Sequence, residues 1–347
     1  MQAVPGAESP SAAPQGAIRA EPVEIRWNPN LPVFAKEDFL RAVGNEYGWL
    51  GGFDESATMR CVLPYTVVRR AGLRMVRFRV ETIAVGAVLD VLEERSFLNS
   101  VVEHFKRTRA DVVIPATNNA IFRTYPDGGD AAPYGSYVID LQQPEDVLWK
   151  KIDRITRQNI NSAQRDGVCI REGFGFLEPA YDLIRETFGR SKMDFMDRDA
   201  FRRFARGLGE HGKLFVAEYQ GVAQSYCLFG FSGPSAFAIY AGNVHGQHQG
   251  ANKLLYWEAI RVFRTLGVGA LDFAGARINP EKGSKQGGIN AFKRRLGASL
   301  REGYMWKYPL RPWRASVYSL GVRLLRGGDI VDQERDKLKD YCPAIGG

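Results

Sequence analysis

The stretch Leu214-Phe215-Val216-Ala217-Glu218-Tyr219-Gln220-Gly221, continuing through Tyr240-Ala241-Gly242 to Leu271-Asp272-Phe273-Ala274-Gly275 and Phe292-Lys293, decides the fold. Strand signals at 214–218, 223–229 and 236–240 are separated by Gln220-Gly221 and Ser232-Gly233-Pro234, which predicts a three-stranded antiparallel meander. After Gly242-Asn243-Val244-His245-Gly246-Gln247-His248-Gln249-Gly250 the period changes. Leu254, Leu255, Trp257, Ile260 and Phe263 then share one helical face until Gly267 stops the helix. Such a helix packs its stripe back on the sheet, and a strand at 271–273 and a basic helix near 288–297 complete a mixed α/β unit.

Outward from that unit, the chain of 347 residues is long enough for two domains with separate cores. Hydrophobic residues at 45% and charged residues at 25% are ordinary for a globular protein and exclude collagen, coiled coil and wholesale disorder. The net charge of +8 biases the surface toward polyanions such as RNA, nucleotide-linked molecules or an anionic lipid leaflet. Cys61, Cys169, Cys227 and Cys342 show no metal-ligand spacing and read as reduced thiols of a cytoplasmic protein. Residues 1–22 lack the charged and apolar regions of a signal peptide and read as a disordered leader. No run of about 18 apolar residues predicts a spanning helix.

The first half, 23–133, reads as helix 35–43, strand 59–68, the Arg70-Ala71-Gly72 turn, strand 74–82, helix 92–107 and strand 111–114. Its helix-strand unit parallels 254–273, with Phe105-Lys106-Arg107-Thr108 set against Phe263-Arg264-Thr265. Two such units 158 positions apart (105 to 263) fit an old duplication, or two unrelated amphipathic helices. The loop Tyr125-Pro126-Asp127-Gly128-Gly129-Asp130-Ala131-Ala132-Pro133 divides the halves, and a strand at 137–141 opens the second, 134–310. A single helix is expected from Pro144 through Leu148, Ile152, Ile155, Ile160 and Ala163, with Lys150, Lys151, Arg154, Arg157 and Arg165 on its other face. That basic face is either solvated or a contact for the phosphates of a tRNA or a nucleotide-sugar carrier. Helices follow at 178–190 and 198–208. In the tail, 311–347, Val317, Leu320 and Leu324 share a face flanked by Trp313 and arginines, suited to packing on the protein or on an anionic membrane.

Four ordered motifs resemble the FemAB family of tandem GNAT acyltransferases. They are Arg157 to Val168, Tyr240-Ala241-Gly242 with the 250–267 helix, Leu271-Asp272-Phe273-Ala274-Gly275, and Gly288-Ile289-Asn290-Ala291-Phe292-Lys293. The resemblance covers roughly 136–304. It implies two GNAT-like α/β domains in tandem and aminoacyl transfer from an aminoacyl-tRNA to an amine of a peptidoglycan or other cell-envelope precursor. The donor is then a cosubstrate, no bound cofactor or metal is implied, and DNA is not among the partners. The alternative is an acyltransferase that uses acyl-coenzyme A or an acyl carrier on an envelope glycan or lipid. Gln247-x-x-Gly250-x-Asn252 is similar to the GNAT pyrophosphate loop, where backbone N–H groups at a helix N-terminus hold coenzyme A. Asn252 departs from that pattern by crowding the loop.

By the same resemblance Lys293 is the candidate for stabilising the oxyanion formed when an amine attacks an ester; on spacing alone, Lys293, Arg294 and Arg295 are a solvated helix face. Asp272, at a strand end, either orients the amine or caps the next loop. Tyr240 and Phe292 are expected to line the acceptor groove, with Gln247 and Gly250 at the donor loop. Lys150, Lys151, Arg154 and Arg157 are the polyanion candidates. His245 and His248 lack carboxylate or cysteine companions at metal spacing.

Overall fold

The computed structural model describes residues 16–191, 193–281 and 283–340. The first half runs β1 (Arg19–Val23), α1 (Glu37–Val43), β2 (Glu46–Phe53), β3 (Met59–Arg70), β4 (Leu73–Phe78), β5 (Ile83–Ala84), α2 (Val91–Arg107) and β6 (Val112–Val113). Its sheet has the order β1-β2-β3-β4-β6, with β5 on β3, and β6 returns parallel to β4 after α2. Asp90 starts α2 by accepting the N–H groups of Leu92 and Glu93 while Glu93 reaches back to Asp90, a reciprocal cap. Phe97, Leu98, Val101, Val102 and Phe105 then bury one stripe on the sheet.

The second half runs β7 (Asp130–Asp140), α3 (Glu145–Lys151), α4 (Arg154–Arg165), β8 (Cys169–Glu172), α5 (Leu177–Gly189), α6 (Arg198–Leu208), β9 (Gly212–Tyr219), β10 (Val222–Phe231), β11 (Ser235–Asn243), α7 (Ala251–Thr265), β12 (Ala270–Asp272), α8 (Lys285–Arg295) and β13 (Ser299–Lys307). The strands order as β13-β7-β12-β11-β10-β9-β8, and β12 returns parallel to β11 after α7. The expected α7 stripe is buried: Leu254, Leu255, Ile260 and Phe263 pack with Phe215, Phe229 and Leu271. On the sheet's other face Phe201, Phe204, Leu208, Leu214 and Leu228 meet Phe34, Phe39, Leu40 and Trp49 of the first half. The halves therefore share a core, and the fold is two GNAT-like units in tandem, each with a parallel strand pair joined through a helix.

Several sequence expectations change. Residues 19–22, expected in the leader, belong with Val23 to strand β1, paired with β2 from Arg19↔Phe53 to Val23↔Trp49; residues 1–15 lie outside the described residues. β2 was hidden by Gly48, Gly51 and Gly52, which weaken a strand signal; at Gly52 a Cβ would run into Cys61, Ile18 and Phe97. β7 begins at Asp130, inside the expected dividing loop, because 130–133 pairs with 304–307 of β13. The single helix from Pro144 is two. Asp153 accepts the N–H groups of Ile155 (3.0 Å) and Thr156 (3.1 Å), starting α4 anew after an extended Ile152, and Ile155 faces solvent.

The tail is not a free appendage. β13 carries Trp306 and the following Leu310 into the first half's core, and α9 (Pro312–Arg326) and α10 (Ile330–Asp340) dock behind it. Ala315 of α9 packs with Leu73, Met75, Val112 and Ile114, and Val331 of α10 with Ile121, Tyr134 and Met305. Removing the tail would open two apolar clusters. Cys342 lies outside the described residues.

Candidate functional site

Between the halves lies a cavity of about 520 Å³. Its wall from the first half includes Arg41, Arg77, Arg79, Asn118 and Asn119, and that from the second includes Arg203, Phe204, Tyr240 and Ala274. Four arginines and no acidic residue line it, and although Arg41 is paired with Glu37 and Asp38, the balance of charge favours an anionic ligand. Arg79 is buried, donating to Thr66 Oγ1 (3.0 Å) and to the Val43 carbonyl (2.8 Å); desolvation lowers its pKa to about 9. Arg77 Nε donates to the Pro115 carbonyl (3.2 Å). Tyr240, half-buried on β11, stacks against Phe204 and Phe195, and burial raises its phenol pKa.

Ala274, in the turn after β12, lines the cavity from below. Ala274 (φ 43°) and Gly275 (φ 68°) both take left-handed backbone, which an alanine adopts only at a cost in strain. Two charged side chains brace them. Asp272, buried at 3% exposure, accepts the Ala274 N–H (2.7 Å) and the Ser136 hydroxyl, with Arg301 at 3.5 Å. Lys293, reaching up from α8, donates to the carbonyls of Ala274 (3.0 Å) and Gly275 (2.6 Å). Burial raises the Asp272 pKa and lowers that of Lys293 to about 8, with the Asp272 charge opposing part of the lysine's shift. The Gly275 N–H, on the peptide whose carbonyl Lys293 holds, has no hydrogen-bond partner among the described residues. Opposite, a Cβ on Gly275 would come within 3.0 Å of Asn118, so the turns that follow β6 and β12 meet at the floor.

The sequence candidates thus separate. Tyr240 lines the cavity, while Asp272 and Lys293 sit one layer beneath it, holding Ala274 and Gly275. Phe292 does not line the cavity; it packs edge-on against Tyr256 in the second half's own core. Gly250 is required by packing, since a Cβ there would fall on the Asn159 carbonyl of α4. The α7 N-terminus is therefore covered by α4 rather than open as a pyrophosphate cradle, and Gln247 Oε1 is buried without a hydrogen-bond partner. His248 bonds Asp166 (2.9 Å), tying that turn to the end of α4. Among the described residues no group of three potential metal ligands converges. Cys61 and Cys227 are buried, with thiol pKa values pushed up to about 12.

The basic candidates do not share one helix face. Lys150 pairs with Asp146 (3.0 Å) and Lys151 bonds Gln143 (2.6 Å) on α3. Arg157, on α4, donates back to the carbonyls of Trp149 and Lys150, whereas Arg154 is exposed. Lys151 lines a shallow surface depression with Arg294 and Arg295. The sequence reading missed Arg41, Arg77, Arg79 and Arg203. Arg77 and Arg79, two apart at the end of an apolar strand, carried a signal: alternation places both on one side.

The FemAB family matches residues 128–223. The fold is similar to that of the crystal structure of FemX, at 13% identity and a TM-score of 0.60, covering 85% of this chain and 98% of that one. It is also similar to the C-terminal domain of an Agrobacterium fabrum protein assigned as a lysylphosphatidylglycerol synthetase, at 11% identity and a TM-score of 0.50, covering 83% and 91%. No curated protein matches the sequence. The family match spans the start of the second half, and the likeness in fold extends across both halves.

Proposed function

We propose that this protein transfers an aminoacyl group from a charged tRNA to an amine of a peptidoglycan precursor, in the cytoplasm, within the cavity between its halves. One observation carries the reading: an arginine-lined cavity without carboxylates, floored by a strained turn that two buried charges hold in place. Both proposed substrates carry phosphates, for which guanidinium groups are apt partners. The FemAB match supports the reaction class. The covered α7 N-terminus favours charged tRNA over coenzyme A as donor. Exposed Arg154, with Lys150 and Lys151 nearby, is our candidate contact for the tRNA backbone.

In the reaction the acceptor nitrogen attacks the ester carbonyl carbon. The C–N bond forms, the C–O bond to the ribose breaks, and the proton lost by the amine ends on the ribose hydroxyl. Charge develops on the carbonyl oxygen, and we assign the Gly275 N–H as its donor. Lys293, by polarising the carbonyl of the same peptide, strengthens that donor, and Asp272 fixes the turn through the Ala274 N–H. Both are positioning residues. Orientation and fixed dipoles supply the rate without a strong base.

The test is to incubate the purified chain with peptidoglycan precursors and either tRNA charged with a labelled amino acid or labelled acetyl-coenzyme A. Label passing from tRNA alone to the precursor is the expected result. Transfer from acetyl-coenzyme A alone would overturn the donor assignment.

A further inference from the structure

The outer face of α9 carries a second kind of information. Trp313, Val317, Leu320 and Leu324 follow one another at spacings of four, three and four, and stand 67%, 55%, 60% and 78% exposed. That spacing makes a straight stripe along a helix about 22 Å long. The opposite face, with Ala315 and Tyr318, packs on the first half's sheet, so the stripe points away from the protein. An apolar row of this size on solvent signals a contact.

Charge identifies the partner. α9 contains no acidic residue, and Arg323 flanks its stripe. Around its N-terminus three segments are laced together. Arg314 donates to the Gly72 carbonyl at the β3–β4 turn and pairs with Asp111 (2.7 Å), the Arg311 N–H donates to the Asp111 carbonyl (3.0 Å), and Arg74 donates to the Thr108 carbonyl (2.7 Å). This brings the segments that carry Arg70, Arg107 and Arg109, all exposed and without carboxylate partners among the described residues, to the N-terminal end of α9. Asp111, the acid at the centre, is already neutralised by Arg314 and Arg311. A second copy docking through the same stripe would bring these cations against each other, whereas an anionic lipid surface complements both the stripe and its basic end.

We infer that α9 is a membrane-docking helix, which lies on an anionic leaflet with Trp313, Val317, Leu320 and Leu324 in the lipid boundary and Arg70, Arg107, Arg109 and Arg323 on the headgroups. No helix among the described residues is long and apolar enough to span a bilayer, so the contact is peripheral. It places the chain at a membrane surface independently of which acyl group is moved.

The experiment is cosedimentation of the full chain with vesicles of phosphatidylcholine alone and of phosphatidylcholine with about one quarter phosphatidylglycerol. Binding is expected to the anionic vesicles, weakening as salt rises. Leu320→Asp with Leu324→Asp should lower the partition coefficient at least about tenfold with an unchanged Tm. Arg70→Glu with Arg107→Glu and Arg109→Glu should remove the preference for anionic vesicles. The inference is overturned if the wild-type chain stays in solution with anionic vesicles, or if the leucine variant binds as well as wild type. It is equally overturned if that variant loses much of its Tm, which would mean the chain itself covers the stripe, or if it converts a dimer to monomers in sedimentation without any vesicle effect.

Discussion

The two helix-strand units, α2–β6 and α7–β12, have the same topology and opposite helix beginnings. α2 begins under its own carboxylates, Asp90 and Glu93, which occupy the N–H groups an anion would need. α7 begins at Gly250 with no side-chain cap and no acid in its first turn, and α4 closes it by backbone contact instead. Neither helix N-terminus is left open to a phosphate. The cationic lining lies instead in the cavity between the halves, where the first half supplies Arg77 and Arg79 and the second supplies Arg203 and Ala274 of the turn. The turns themselves differ as well. Thr117 and Asn119 hold theirs with neutral hydrogen bonds to the Arg79 carbonyl, whereas Asp272 and Lys293 hold Ala274 and Gly275 with buried charge.

The largest expected effect comes from Gly250→Ala. Its Cβ would meet a backbone carbonyl, which cannot swing away, so the α4–α7 packing must shift at a cost of about 3 kcal/mol. Thermal unfolding measures this. An unchanged Tm would mean α4 does not close the α7 N-terminus, and a coenzyme A donor would regain support. Asp90→Ala should cost about 1 kcal/mol, the usual worth of a cap, and free N–H groups at α2 without creating any donor activity.

A smaller effect separates the two turns by pH. The unfolded chain holds a lysine proton up to about pH 10.5, while folded Lys293 releases it near pH 8. Across that window the unfolded state binds more protons, so this residue makes stability rise with pH, and the penalty for burying its charge is complete below about pH 8. In Lys293→Met that upward component disappears. A Tm-versus-pH slope identical in the two proteins between these values would show that the lysine is not desolvated.

Much of this was legible in the sequence. The second half's meander, α7 and β12 followed from periodicity and turn residues, as did α2 and α6. What escaped did so for identifiable reasons. β1 and β2 exist through pairing across the sheet, while proline and three glycines blunt their local pattern. The break at Asp153 was masked because apolar spacing continues through it, although Asp-x-x-Thr offers a cap. The site was half legible. Asp272, Lys293 and Tyr240 were marked by motif, yet the cavity depends on Arg77, Arg79 and Asn118, more than 100 positions away. Phe292 and Gly250 were marked for ligands and serve packing.

We place the developing charge at the Ala274–Gly275 turn, with Lys293 beneath it as the source of its electrostatic strength. The most direct measurement is the pH dependence of kcat for aminoacyl transfer, wild type against Lys293→Met, each checked by circular dichroism and donor binding. Wild-type kcat should fall as pH rises through about 8, when Lys293 loses its proton. The variant should bind donor normally, turn over about a hundredfold more slowly, and show no fall in that range. Near wild-type turnover in the variant, or the same fall near pH 8, would contradict the account.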